Sequence, residues 1–179
     1  VRIKELTVQT DGKVYISGSF AASGTNVPDK ILRLNSDGSL DQSLTSIPLI
    51  EGVDFVKGIY KVQPLPDGKF MACGYFSTAN GNSRTNLARL NSDGSFDPTL
   101  TTQINNTCYD VAVQPDGKYL VAGTFTTVNG TTRLGLVRFN TNDSTDTSFN
   151  AFSVNNQFTL DAYFGIKLLD DGTMYAFHD

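Results

Sequence analysis

The chain has 179 residues and a net charge of −4, with no run of basic residues. That length allows one domain with a sizeable core, and the charge excludes nucleic-acid binding, which needs clustered Lys and Arg against phosphate. No apolar run approaches the roughly 18 residues of a membrane-crossing helix, and 16 glycines with moderate apolar content suit an all-β chain with many turns.

Val1–Gln9 carries Ile3, Leu6 and Val8 as its apolar candidates and reads as a first strand. Asp11-Gly12 closes a hairpin onto a second strand, Val14–Phe20. The loop Ala21–Asp29 leads to a third strand, Ile31–Asn35, and Leu40–Leu44 reads as a short outer strand or an apolar plug. The order then repeats. A turn at Asp67-Gly68 precedes the strand beginning Phe70-Met71-Ala72-Cys73-Gly74. The loop Asn80-Gly81-Asn82-Ser83, the strand Leu87–Asn91 and the closing segment Phe96–Leu100 follow. Pro64-Leu65-Pro66 reads as an insertion before that second turn.

The third copy is the clearest: strand Val111–Gln114, turn Pro115-Asp116-Gly117, strand Lys118–Phe125, loop Thr126–Arg133, strand Leu134–Asn140 and closing segment Thr145–Phe149. Leu160–Asp179 supplies two more strands, with Asp171-Gly172-Thr173 as the turn and His178 where the other copies have Gly18, Gly74 and Gly123. The middle strands are apolar on both faces, as in a central strand between packed layers. The repeated glycine inside them points to a bulge or a close backbone approach.

These motifs resemble the delta-60 repeat (DUF5122-type), a β-propeller-type repeat of bacterial secreted and phage-associated proteins. Val113–Phe149 matches its pattern nearly throughout and Val62–Leu100 almost as well. Val8–Leu44 matches with a looser loop, and 160–179 matches only the opening. The resemblance implies an all-β, β-propeller-like tandem repeat: three full blades plus half of a fourth, in an incomplete ring. The expected units are 1–48, 49–100, 101–150 and 151–179, in one continuous repeat domain that forms part of a longer chain. A chain whose open ends pair with further copies is the alternative.

Two recurring constellations carry candidate roles. Arg33, Arg89 and Arg138 recur in register with Asp41, Asp97 and Asp146, which predicts one structural Arg–Asp pair per blade. The Asn-x-Asp-Gly-Ser-x-Asp loops read first as turns in which Asn and Asp tolerate left-handed backbone. The alternative is half a calcium loop, with Asn35, Asp37, Ser39 and Asp41, or Asn91, Asp93 and Asp97, as ligands. Otherwise no metal or cofactor is expected. The loops holding Asn80, Asn82, Arg84, Asn129, Thr131 and Arg133 are candidate ligand loops, because rigid scaffolds present binding residues this way.

Cys73 and Cys108 are expected to be free, core-facing thiols. No catalytic constellation stands out, and the only histidine, His178, lies near the end of the sequence given. The reading is a non-enzymatic structural or recognition module of an extracellular, cell-surface or virion protein. Its expected partner is another protein, further copies of the same repeat, or a surface glycan. The alternative is a carbohydrate-binding or carbohydrate-degrading propeller.

Overall fold

In the computed structural model the described residues are 2–20, 30–44, 47–48, 58–149, 165–169 and 171–177. Among them every regular element is a strand, so the all-β class holds. None forms a helix long and apolar enough to cross a membrane.

Each unit is an antiparallel meander. The first sheet runs β1 (Arg2–Val8), β2 (Val14–Ser19), β3 (Lys30–Leu34) and β4 (Ile47–Pro48) in spatial order. The second unit contains β5 (Gly58–Pro64), β6 (Phe70–Tyr75), a small pair β7 (Thr78–Ala79) and β8 (Asn82–Ser83), and β9 (Leu87–Leu90); its main sheet is β5-β6-β9. The third repeats this with β10 (Cys108–Val113), β11 (Tyr119–Gly123), β12 (Thr127–Val128), β13 (Thr131–Thr132) and β14 (Leu136–Phe139). β15 (Gly165–Leu168) and β16 (Met174–Phe177) form a final hairpin.

The first turn is the same in each copy. The Gln9, Leu65 and Gln114 amides donate to the Lys13, Lys69 and Lys118 carbonyls at 2.7, 2.9 and 2.8 Å. Leu65 therefore occupies the place of Gln9 and Gln114, and Pro64-Leu65-Pro66 is not an insertion. Pro64 pairs with Phe70 just as Val8 pairs with Val14. A proline is tolerated there because β5 is an edge strand of its sheet.

The first strands carry a register shift between Ile3 and Glu5, Ile59 and Lys61, and Cys108 and Asp110. The extra residue of this bulge puts the spacing Ile3, Leu6, Val8 on one face, which strict alternation would not. The repeated glycine sits opposite. A Cβ on Gly74 would lie 2.0 Å from the Gly58 carbonyl oxygen, and one on Gly123 2.1 Å from that of Thr107.

Two expected loops prove to be miniature hairpins. β7 pairs with β8 around Asn80-Gly81, and β12 with β13 around Asn129-Gly130. All four turn residues have positive φ, between 47° and 78°, the requirement of a type I′ turn. The closing segments combine both expected forms. Leu40, Phe96 and Thr145 each make a single antiparallel bridge, to Leu34, Leu90 and Phe139, while Leu44 and Leu100 are buried as plugs.

Neighbouring units pack face to face. Tyr15, Ile31 and Leu44 meet Ile59, Val62 and Phe70 in one core, where the Tyr15 and Phe70 ring centroids are 4.8 Å apart. Met71, Leu87 and Leu100 meet Val111, Tyr119 and Phe139 in the next. Leu120 and Leu136 meet Ile166 and Met174 in the third. β6 and β11 are buried from Phe70 to Gly74 and from Tyr119 to Gly123 because a core lies on each side of them.

The expectation of free thiols is overturned. Cys73 on β6 and Cys108 on β10 form a disulfide, with Cα atoms 5.2 Å apart. Both side chains face the core between the second and third units. Their 35-residue separation hid the pairing from the sequence, because only blade stacking brings them together.

Candidate functional site

The recurring polar residues converge on one aspartate per unit. In the second unit Asp97 Oδ2 accepts from Arg89 Nε and Lys69 Nζ, each at 2.8 Å. Asp97 Oδ1 accepts from the Thr99 amide at 2.9 Å and the Thr99 hydroxyl at 2.6 Å. The first unit repeats this with Asp41, Arg33, Lys13 and Ser43. The third repeats it with Asp146, Arg138, Lys118 and Ser148.

The turn chemistry delivers the lysine. Asp11, Asp67 and Asp116 each accept the amide of the lysine two residues on, at 3.0 to 3.1 Å, and that lysine reaches back across the unit. Sequence reading placed the Arg and the Asp but missed the Lys. Its signal was available in the in-register recurrence of Lys13, Lys69 and Lys118.

All three carboxyls lie well below the usual carboxylate range. For Asp41 the first cause is the Lys13 ammonium, followed by the Ser43 hydroxyl. For Asp97 burial opposes ionisation, but Lys69, Thr99 and Arg89 outweigh it. For Asp146 the Ser148 hydroxyl leads and Lys118 follows. Such a group is held ionised and saturated with donors, which suits holding a fold and not moving a proton.

The candidate calcium oxygens are tied up locally. Asp37 Oδ1 accepts the Ser39 amide and hydroxyl at 2.9 and 2.7 Å, and Asp93 does the same for Ser95. Asn35 and Asn91 donate to those same serine hydroxyls at 2.9 and 2.8 Å. The remaining candidates, Asp41 and Asp97, belong to the Arg–Lys clusters. Among the described residues no group of three or more His, Cys, Asp or Glu side chains could hold a metal ion.

The third copy departs instructively. Asp143 stands where Gly38 and Gly94 stand and keeps the left-handed conformation at φ 66°. Its Oδ1 accepts from Arg89 Nη1 at 2.9 Å and from the Tyr119 hydroxyl at 3.0 Å, linking the second unit to the third.

The candidate ligand loops are partly committed to the fold. Arg84 is 9% exposed; its Nε donates to the Leu87 carbonyl at 2.9 Å, and its Nη2 donates to the Thr102 carbonyl. It ties the loop to the body. Asn80 donates to the Gly94 carbonyl at 3.1 Å and Asn129 accepts from the Gln103 amide at 2.8 Å. Asn82 donates back to the Asn80 carbonyl at 3.1 Å, and Arg133 to the carbonyl of Thr132 at 2.9 Å. Thr131 is exposed in β13. Ala21–Asp29 and His178 lie outside the described residues.

The first strands also line up across units. At their bulges, Lys4 Nζ sits 5.7 Å from the Tyr60 ring centroid, and the Tyr60 and Tyr109 rings are 5.2 Å apart. Glu5 Oε2 accepts the Val62 amide at 3.1 Å, and Asp110 Oδ2 accepts the Ile166 amide at 2.8 Å. A carboxylate on one first strand thus captures a backbone donor on the next.

Repeated meanders, stacked face to face with first strand beside first strand, define a set of propeller blades. The family model described as "Domain of unknown function (DUF5122) beta-propeller" matches residues 9–44, 65–100 and 114–149, and the chain belongs to that family. No curated protein and no solved structure matches it.

Proposed function

We propose that this chain is a non-enzymatic structural and recognition module of an extracellular, cell-surface or virion protein, and that it works by blade-to-blade assembly. The observation that carries this reading is the outer face of the first blade. Ile3, Leu6 and Val8 are 53%, 57% and 70% exposed, whereas their counterparts Ile59 and Val62 in the second blade are fully buried against a neighbouring blade. The face therefore has the chemistry of a blade interface, and the occupant it fits is a further blade of the same type. Tyr175 and Phe177, 58% and 54% exposed on β16, offer a second apolar face. A disulfide between blades fits an oxidising compartment such as the cell exterior.

Sedimentation velocity across a range of concentrations tests the reading. The wild-type chain should associate as concentration rises, and Leu6→Glu, a change at an exposed position, should leave a folded monomer. A wild-type chain that stays monomeric, or association untouched by Leu6→Glu, would sink it.

A further inference from the structure

Every blade joint sets two unlike faces against each other. Tyr15 of the first blade shares a core with Val62 and Phe70 of the second. Met71, which holds the place of Tyr15 in the second blade, shares one with Val111 and Tyr119 of the third. Leu120 packs in turn with Ile166 and Met174 of the β15–β16 hairpin. Each blade thus sends a side chain of its second strand forward and receives on its first and second strands.

The outer side of the first blade is a receiving face. Leu6 stands at the place of Val62, Ile3 at that of Ile59, and Leu40 at that of Phe96, which packs against the first core. Leu40 is 52% exposed, and Ile3 and Leu6 are exposed with it. Gly38 is exposed as well, whereas its counterpart Gly94 is buried.

The outer side of β16 is a sending face. Tyr175 pairs with Lys167 as Tyr15 pairs with Thr7, and Phe177 stands at the place of Ser17 and Cys73. Tyr15, Ser17 and Cys73 are fully buried, but Tyr175 and Phe177 are more than half exposed. Because both faces are exposed, neither covers the other within one chain.

A polar match selects between kinds of sender. At the first joint Arg33 Nη1 donates to the Tyr15 hydroxyl at 3.0 Å, and the receiving blade carries Gly94. At the second joint the sender is Met71, which has no hydroxyl, and the receiving blade carries Asp143 at the place of that glycine. Asp143 Oδ1 accepts from Arg89 Nη1 at 2.9 Å. A tyrosine sender therefore goes with a glycine receiver, and a methionine sender with an aspartate, since a half-buried guanidinium needs an acceptor from one side or the other. The first blade presents Gly38 and so fits a tyrosine sender, which β16 supplies in Tyr175.

We propose that the Tyr175–Phe177 face of one copy of this chain seats on the Ile3–Leu6–Leu40 face of a second copy, head to tail. The proposal rests on the blade-assembly reading and adds to it the partner and the polarity. Two unlike faces make a heterologous contact, which repeats into a closed ring or an extended stack. Gly165 holds the place of Glu5 and Asp110, as Lys61 does at the second joint. The new joint thus forgoes the carboxylate that captures a neighbouring amide at the first and third joints, and it is held by apolar contact.

Sedimentation velocity of two variants, alone and mixed, tests the pairing. Leu6→Glu blocks the receiving face and Tyr175→Glu the sending face; both positions are exposed, and thermal melting checks the fold. Each variant alone should stay monomeric at concentrations where the wild-type chain associates. Their equimolar mixture should form a dimer and nothing larger, because one intact receiving face meets one intact sending face. If either glutamate prevents folding, Leu6→Ser or Tyr175→Ser takes its place with the same expectation. A Tyr175→Glu variant that associates as the wild-type chain does, or a mixture that stays monomeric, would overturn the pairing and leave blade assembly to another partner. A wild-type chain that stays monomeric would remove blade assembly itself, and this pairing with it.

Discussion

A buried aspartate is costly unless its oxygens are occupied. Asp97 is 3% exposed, and its two oxygens receive a guanidinium, an ammonium, a hydroxyl and a backbone amide. Arg89 serves two carboxylates, Asp97 and, across the blade boundary, Asp143. Replacing it by Leu should therefore cost about 2–4 kcal/mol in urea unfolding at neutral pH, somewhat less than breaking an isolated buried pair because Lys69 remains. An unchanged midpoint would contradict the structural role.

The same carboxylates set an acid limit. Each has a folded pKa below its unfolded value of about 3.9, so its stabilisation is complete above that value and is lost as pH falls toward the folded one. Urea midpoints should hold steady from neutrality down to about pH 5 and fall steeply below about pH 4. A midpoint that rises on acidification through that window would reverse the sign. The sequence showed the Arg and Asp in register, because both recur with fixed spacing inside one unit. It did not show Asp143 reaching Arg89, because that contact exists only once blades stack.

At the scale of elements, strand order was readable from turns and apolar runs, whereas local geometry was not. The spacing Ile3, Leu6, Val8 violates alternation, and a bulge is the physical way to keep such residues on one face. Asn-Gly at Asn80 and Asn129 carried the hairpin signal, but strands of two residues are too short to leave an apolar pattern. Gly123 is held by close approach: a methyl group there meets the Thr107 carbonyl at 2.1 Å, and backbone cannot yield as a side-chain tip can. Gly123→Ala should destabilise the chain by about 2 kcal/mol or more, measurable in the same urea titration; a neutral effect would mean the bulge is not held as described.

The disulfide links two such elements. Closing 35 residues removes chain entropy from the unfolded state worth about 2–4 kcal/mol. Cys73→Ala with Cys108→Val should lower the melting temperature, while reductant should have no effect on that double variant. Equal melting of the wild-type chain and the double variant under oxidising conditions would refute the bond's contribution.

Among the described residues, the apolar cores lie between blades and not within them. Each of the three cores draws on two neighbouring units, and the pairwise stacking makes the array quasi-one-dimensional. Leu6 and Val8 of the first blade are exposed, whereas Val62, at the place of Leu6 in the second, is buried in the core shared with the first.

Electron cryomicroscopy of the native material would test the central claim most directly, by showing what covers the first blade. The account predicts another blade seated on Ile3, Leu6 and Val8, in a closed ring or an extended stack. Particles in which that face of β1 lies open to solvent would contradict it.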